Sequence, residues 1–320
     1  MRWTAIIAAC LALLGCEAQP AQPIANEIAY TLTPSDLPAF FDCLRERGQT
    51  IVAAHRGGPA PGLAENAIDT FEHALLQGPM MLEVDVSRTR DGALVLMHDD
   101  DVERTTDGLG YVRDLTLAEF QALNLEDEDG RIVDAHPPSL REALDWAAGK
   151  TILELDVKRD VAFEDIAREV REAGAEDRVI VITYSVAAAR RMARIAPDLM
   201  IATTIENEAE LRELQRAGVD LSHILAWTGT DEPNAALNIA LAQAGVEAAF
   251  GTLGGRGSWD RRFEESGADE YAAFAETGLE VIATDRPSEA VRDLDARDGE
   301  EGFGALQCVP PAVIPSSAQR

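Results

Sequence analysis

The sequence has 320 residues, 46% of them hydrophobic and 5% aromatic, which suits one large core or two small ones and is too apolar for a disordered chain. Acids outnumber bases 57 to 28, leaving a formal charge of -29 at pH 7. Such a surface repels nucleic acid and anionic headgroups, so no nucleic-acid partner is expected; an anionic substrate would need a bound cation or a local basic cluster to reverse the field.

At the N-terminus, Arg2 precedes an apolar run over residues 6–14 that is too short to span a bilayer. The run ends in Leu13-Leu14-Gly15-Cys16, which resembles the lipobox of bacterial lipoproteins, and a polar stretch follows. The resemblance implies a signal peptide over 1–15 and a lipidated Cys16 that anchors an exported protein to a bacterial membrane, on its periplasmic side or at the cell surface. A plain secretory signal and a buried helix are the alternatives. Residues 16–46 then form a tether and an N-terminal helix, and 47–296 the main domain. Residues 297–320 are a polar, turn-rich tail. Of the four cysteines, two lie in or at the signal, leaving Cys43 and Cys308. In an oxidising compartment such a pair tends to bridge, and two free thiols are the alternative.

Downstream, β-rich runs at 51–54, 81–86, 152–157, 179–183, 200–204, 223–226, 247–250 and 281–283 alternate with amphipathic stretches at 67–77, 163–173, 186–195, 208–217 and 234–244. Gly174, Gly218 and Gly245 supply helix stops. This alternation predicts an α/β fold, a (β/α)₈ TIM-type barrel, with an open doubly wound sheet as runner-up. Residues 94–138 break the rhythm with a short strand at 94–97 and an acidic loop, and read as a small insertion after the second strand.

Catalytic groups of a barrel sit at the C-terminal strand ends. The first strand ends in His55-Arg56-Gly57-Gly58, offering a proton-transfer group and a bidentate phosphate ligand. In Glu83-Val84-Asp85, spacing two puts both acids on one strand face, where burial demands a cation, and hard oxygen ligands suit Ca²⁺ or Mg²⁺. The third main strand repeats the device as Glu154-Leu155-Asp156-Val157-Lys158: Asp156 completes the metal shell, Lys158 lies at phosphate distance, and Glu154 is a substitute ligand or a partner of Lys158. His98 follows the short strand of the insertion.

Taken in order, His55-Arg56-Gly57, Glu65-Asn66, Glu83-x-Asp85, Asp91-Gly92, His98-Asp99, Arg104-Thr105-Thr106-x-Gly108 and Thr284-Asp285-Arg286-Pro287 resemble the signature of the glycerophosphodiester phosphodiesterase family, from about residue 51 to 287. The resemblance implies His55 and His98 as the acid–base pair, Glu83 and Asp85 as metal ligands, and Arg56 and Lys158 as phosphate contacts. Glu65 is implied beside the site. The implied reaction is metal-dependent release of glycerol 3-phosphate and an alcohol through a cyclic phosphate.

Two departures stand out. Asp156 replaces the family's usual glutamate, and 249–252 replaces its Trp-Thr-Val-Asn run. The glycine-rich loop 251–257 could cradle a phosphate or simply flex. His73, His136 and His223 read as structural, with His223 opening a strand. Trp227 either lines the pocket or packs, and Tyr184 and Ser185 face the mouth without an evident partner. The alternatives to a glycerophosphodiester hydrolase are a phospholipase- or lyase-type enzyme of the same fold and a non-catalytic glycerophosphodiester-binding lipoprotein. No exposed apolar loop suited to an interfacial enzyme stands out, and nothing calls for an obligate protein partner.

Overall fold

The computed structural model describes residues 30–298 and 303–309; the expected signal peptide, Cys16 and most of the expected tail lie outside the described residues. Within them, strands β1 (Ile51–Ala54), β2 (Met80–Arg88), β3 (Leu94–Leu96), β4 (Leu153–Val157), β5 (Val179–Thr183), β6 (Met200–Thr204), β7 (Ile224–Trp227), β8 (Glu247–Gly251) and β9 (Val281–Thr284) form one sheet. All but β3 are parallel, and β1 pairs with both β2 and β9, so eight strands close into the expected barrel. β3 turns back antiparallel on the end of β2 and starts the insertion. His223 stands in a 3₁₀ turn before β7 rather than in the strand, because Asp220 caps that turn.

The helices follow in chain order: α1 (Leu37–Arg47), α2 (Ile68–Gln77), α3 (Leu117–Gln121), α4 (Leu140–Ala147), α5 (Phe163–Glu172), α6 (Val186–Ile195), α7 (Glu208–Arg216), α8 (Ala235–Gln243), α9 (Trp259–Ser266), α10 (Tyr271–Ala275) and α11 (Pro287–Asp298). Their sequences state their own ends. Asp36 caps α1 and left-handed Gly48 stops it, while Ser139 and Glu142 form a capping box on α4. No helix among the described residues is long and apolar enough to cross a membrane.

Two apolar layers share the strands. Outward residues such as Leu82, Val84, Leu153 and Leu155 pack under the helix ring. Inward residues Ile51, Met81, Ile152, Ile180, Met200, Leu225, Ala249 and Val281 fill the lower lumen, which α1 plugs with Phe40, Phe41 and Leu44. Cys43 of α1 is bonded to Cys308, with Cα atoms 5.6 Å apart. The insertion has a small core of its own around Val95, Val102, Val112 and Phe120. It also exposes Leu109 (80%) and Ile132 (61%), apolar tips that the sequence did not single out.

Candidate active site

Strand parity decides what the mouth contains. On β2, Met81, Glu83 and Asp85 alternate inward; on β4, Ile152, Glu154 and Asp156 do the same. The register sets Glu83 beside Glu154 and Asp85 beside Asp156, so four acids form two layers above an apolar lumen. Ligand atoms of Glu83, Asp85 and Asp156 all lie within 4.8 Å of one another. Burial, then Asp85, pushes the Glu83 carboxyl well above its ordinary value. A buried set of hard oxygen donors fits a divalent cation such as Ca²⁺ or Mg²⁺. Glu154, in the layer of Glu83, lies outside that trio and pairs with no lysine; burial, then Asp156, raises it to about 7.

The loop after β1 frames this cluster from above. Arg56 and Asn66 are the two non-glycine residues with positive φ among the described residues, at 52° and 57°. Such backbone costs roughly 1–3 kcal/mol each and persists where surroundings over-determine it. Here the constraint is visible: the Arg56 N–H donates to Glu83 Oε2 at 2.7 Å, and the Asn66 side chain donates to Asp85 Oδ2 at 2.7 Å while accepting from the Asp85 N–H at 2.9 Å. Gly57 is obligatory, since a Cβ there would fall 2.2 Å from the Phe71 ring.

Both histidines are held by carboxylates. His55 Nδ1 lies 2.7 Å from Asp285 Oδ1, and His98 Nδ1 lies 2.6 Å from Asp99 Oδ1. An ionised carboxylate only accepts, so each ring places its proton on Nδ1 and leaves Nε2 free for proton transfer. Asp285 is itself fixed: its second oxygen accepts from the Gly254 N–H at 2.8 Å, and its own N–H donates to buried Asp260 at 2.7 Å. Gly254 therefore uses its amide on Asp285, which argues against the loop 251–257 as a free phosphate cradle.

A ladder of charge links the insertion to the cluster. Arg104 reaches Asp99 at 2.6 Å and grips both oxygens of Glu65 at 2.7 and 2.8 Å, and Arg56 adds a bond to Glu65 at 2.9 Å. Burial opposes ionisation of Glu65, but the two guanidiniums outweigh it and hold the carboxyl below its ordinary value. Asp99 is lowered to about 2 against its burial by Arg104 and His98. Lys158, expected at phosphate distance, instead bridges Asp85 at 2.6 Å and Asp156 at 2.7 Å.

Three residues named in the sequence without a role acquire one here. Asp285 and Asp99 orient the histidines. Tyr184, at the end of β5, donates from Oη to Asp156 Oδ1 at 2.6 Å. With Trp227 and Leu253 it lines a recess of about 180 Å³ that reaches His55, Glu83 and Asp156, so Trp227 faces the pocket. A second recess of about 360 Å³ opens on the other side of His55, toward Arg261 and Arg286. His73 lies on α2, while His136 and His223 form side contacts with Glu142 and Asp220.

An eight-stranded barrel whose mouth sets a buried cluster of carboxylates that could hold a metal beside carboxylate-held imidazoles defines a class, the (β/α)₈ barrels with an acidic site at the C-terminal strand ends. The model of the glycerophosphoryl diester phosphodiesterase family matches residues 55–228, more than half of the chain, and the chain belongs to that family. A glycerophosphodiester phosphodiesterase of Caldanaerobacter subterraneus subsp. tengcongensis is 32% identical over 160 residues, covering 48% of this chain and 65% of that protein. The human glycerophosphodiester phosphodiesterase 1 is 38% identical over 105 residues, covering 32% of this chain and 31% of that protein. The match thus spans less than two thirds of these curated relatives. A crystal structure of a glycerophosphoryl diester phosphodiesterase from Parabacteroides distasonis superposes with a TM-score of 0.75 at 30% identity, over 85% of this chain and 96% of that one. An Oleispira antarctica phosphodiesterase solved with the product sn-glycerol-3-phosphate shares the fold, with a TM-score of 0.60 at 20% identity over 78% of this chain and 99% of that one.

Proposed function

We propose that the protein hydrolyses glycerophosphodiesters to glycerol 3-phosphate and an alcohol, using a divalent cation held by Glu83, Asp85 and Asp156. The observation that carries this reading is the convergence of those three buried carboxylates beside His55, whose Nδ1 is held by Asp285. The cation, when bound, neutralises charge on the phosphoryl oxygens. The chain's own residues supply the rest. With Nδ1 engaged on each ring, one histidine Nε2 takes the proton of the glycerol 2-hydroxyl as its oxygen bonds to phosphorus, and the other gives a proton to the departing alcohol oxygen. The cyclic phosphate so formed is opened by water with the proton roles reversed. In this reading Arg56 meets the phosphoryl group, and Glu65, which accepts from its Nη1 at 2.9 Å, fixes the guanidinium. Paired proton-transfer groups argue against a non-catalytic binder, which has no need of them.

The test is release of glycerol 3-phosphate from several glycerophosphodiesters with and without chelator. Cation-dependent release is expected, and full activity of exhaustively chelated protein would sink the metal assignment. One observation favours a second reading, action on intact phospholipid: Leu109 and Ile132 project from the insertion as apolar tips. Cleavage of phospholipid vesicles, with glycerophosphodiesters left intact, would establish it.

We further propose that Cys16 is lipidated and that the protein is exported and membrane-anchored, as Leu13-Leu14-Gly15-Cys16 suggests. The disulfide suits an oxidising compartment. Radiolabelled palmitate should enter the wild type and not Cys16→Ser; equal labelling of both would refute the anchor.

A further inference from the structure

The carboxylates suited to a metal already share a cation that belongs to the chain. Lys158 continues the inward parity of β4 and sets Nζ 2.6 Å from Asp85 Oδ1 and 2.7 Å from Asp156 Oδ2. The other oxygens of this pair accept hydrogen bonds from neutral donors, Asp85 Oδ2 from Asn66 and Asp156 Oδ1 from Tyr184 Oη, and the Arg56 guanidinium comes no nearer to Asp85 Oδ2 than 3.9 Å. A hard cation must approach carboxylate lone pairs to about 2.0–2.6 Å. On Asp85 Oδ1 and Asp156 Oδ2 those lone pairs point at the ammonium. An amide or a phenol hydroxyl on the far oxygen is compatible with metal ligation, whereas a second positive charge between the same two carboxylates is strongly repelled.

We propose that a divalent cation enters this cluster by displacing Lys158 from Asp85 and Asp156, while Tyr184 keeps Asp156 in place, and that the freed ammonium becomes the group that meets the substrate phosphate. The inference rests on the phosphodiesterase reading and adds an order to it. Without the cation, Lys158 is spent on neutralising the site. With it, the same side chain swings outward on its flexible stem and is available to the phosphodiester. Cation and phosphate ligand then bind with positive coupling, and Tyr184 is a positioning residue acting through Asp156, the ligand that is one methylene shorter than the family resemblance implies.

The sequence makes the test direct, because Lys150 and Lys158 are its only two lysines. Lys150 sits over the Trp146 ring, with Nζ 2.7 Å from the Trp146 carbonyl oxygen, and serves as the internal control. Protein carrying ¹³C at the lysine ε-carbon should show two side-chain NMR signals. Adding Ca²⁺ or Mg²⁺ to chelator-treated protein is expected to move the Lys158 signal and leave Lys150 unchanged, and glycerol 3-phosphate should move it again only after the cation is present. By calorimetry, Lys158→Met should bind the cation about tenfold tighter and Tyr184→Phe about fivefold more weakly than wild type. Cation binding that saturates with the Lys158 signal unmoved, or a Lys158→Met variant binding no tighter, would overturn the exchange. Should such a protein still cleave glycerophosphodiesters in a cation-dependent way, the phosphodiesterase reading stands without the exchange. If Lys158 is displaced and no glycerophosphodiester is cleaved, the exchange stands and that reading falls.

Discussion

The two ends of the barrel bury carboxylates in opposite ways. At the floor, Glu247 accepts from Arg45 at 2.7 Å, and Glu280 accepts the Ala248 N–H at 2.7 Å. Arg45 rides on α1, which is wedged into the lumen by Phe40, Phe41 and Leu44 and tied to Cys308 through Cys43. Its charge is therefore fixed in place, and the floor is closed. At the mouth, Glu83 and Asp156 line a recess beside Asp85, and the cation shared by Asp85 and Asp156 is the terminal ammonium of one flexible side chain, Lys158. A buried acid costs the fold energy unless it is paired. The barrel thus teaches that the same chemical problem is answered by an immobile partner where stability is needed and by an exchangeable one where a ligand must enter.

The comparison breaks most visibly if mouth acids prove structural. Asp85→Ala should abolish cation binding and lower turnover at least 10³-fold, while the barrel still folds; this is read by calorimetry, steady-state kinetics and circular dichroism. A variant that keeps its cation affinity would place the metal elsewhere. His55→Ala should retain the cation and lose about 10²–10⁴-fold in kcat. Asp285→Asn, which leaves His55 in place but weakens the hold on its Nδ1–H, should cost about 10–100-fold with unchanged cation affinity. An unaltered kcat would show that His55 is oriented by something other than Asp285.

The mouth was largely legible before the structure, and the floor was not. Period-two acids at 83/85 and 154/156 announce their own shared face, and the strand of 81–86 needs only a residue or two at each end to become β2. Asp99 stands next to His98 in sequence, but the other two partnerships were hidden because they join distant parts of the chain. Asp285 meets His55 across 230 positions, and Tyr184 meets Asp156 across 28. Glu154 shares the parity of Asp156, so sequence offered it as a substitute ligand; it lies in the layer of Glu83, yet the three carboxylates that converge are Glu83, Asp85 and Asp156. Helices α3, α4, α9, α10 and α11 were not among the amphipathic stretches singled out, although α4 buries Leu140, Ala143, Leu144 and Ala147 at helical spacing. At the floor, Glu247 and Glu280 stand at or just before strand starts, where sequence does not distinguish a buried acid from an exposed one.

The floor should respond in stability rather than turnover. Cys43→Ser with Cys308→Ser frees a loop closed over 265 residues and should cost roughly 2–5 kcal/mol, seen as a lower thermal midpoint with kcat at room temperature retained. Equal losses of stability and kcat would show that α1 and the mouth are mechanically coupled, against the division of labour argued above.

The smallest effect is the most diagnostic of buried charge. Burial raises the Glu280 carboxyl from 4.5 to about 7, with the Ala248 N–H opposing and neighbouring Glu247 assisting the shift. In the unfolded chain the group titrates near its ordinary value, so between these two values the folded protein binds more protons. Stability must then fall as pH rises through that window and level off above about 7. At 1.36 kcal/mol per unit the full swing is at most about 3 kcal/mol. Glu280→Gln keeps an oxygen for the Ala248 N–H and removes the titration. Its urea-unfolding free energy should exceed that of wild type at pH 8, with the difference shrinking toward pH 5. Other titrating groups, Glu247 and the mouth acids included, contribute alike to both proteins and largely cancel in that difference. Parallel curves across the whole range would mean that Glu280 is ionised in the fold at every pH tested, with Arg45 neutralising both floor acids at once.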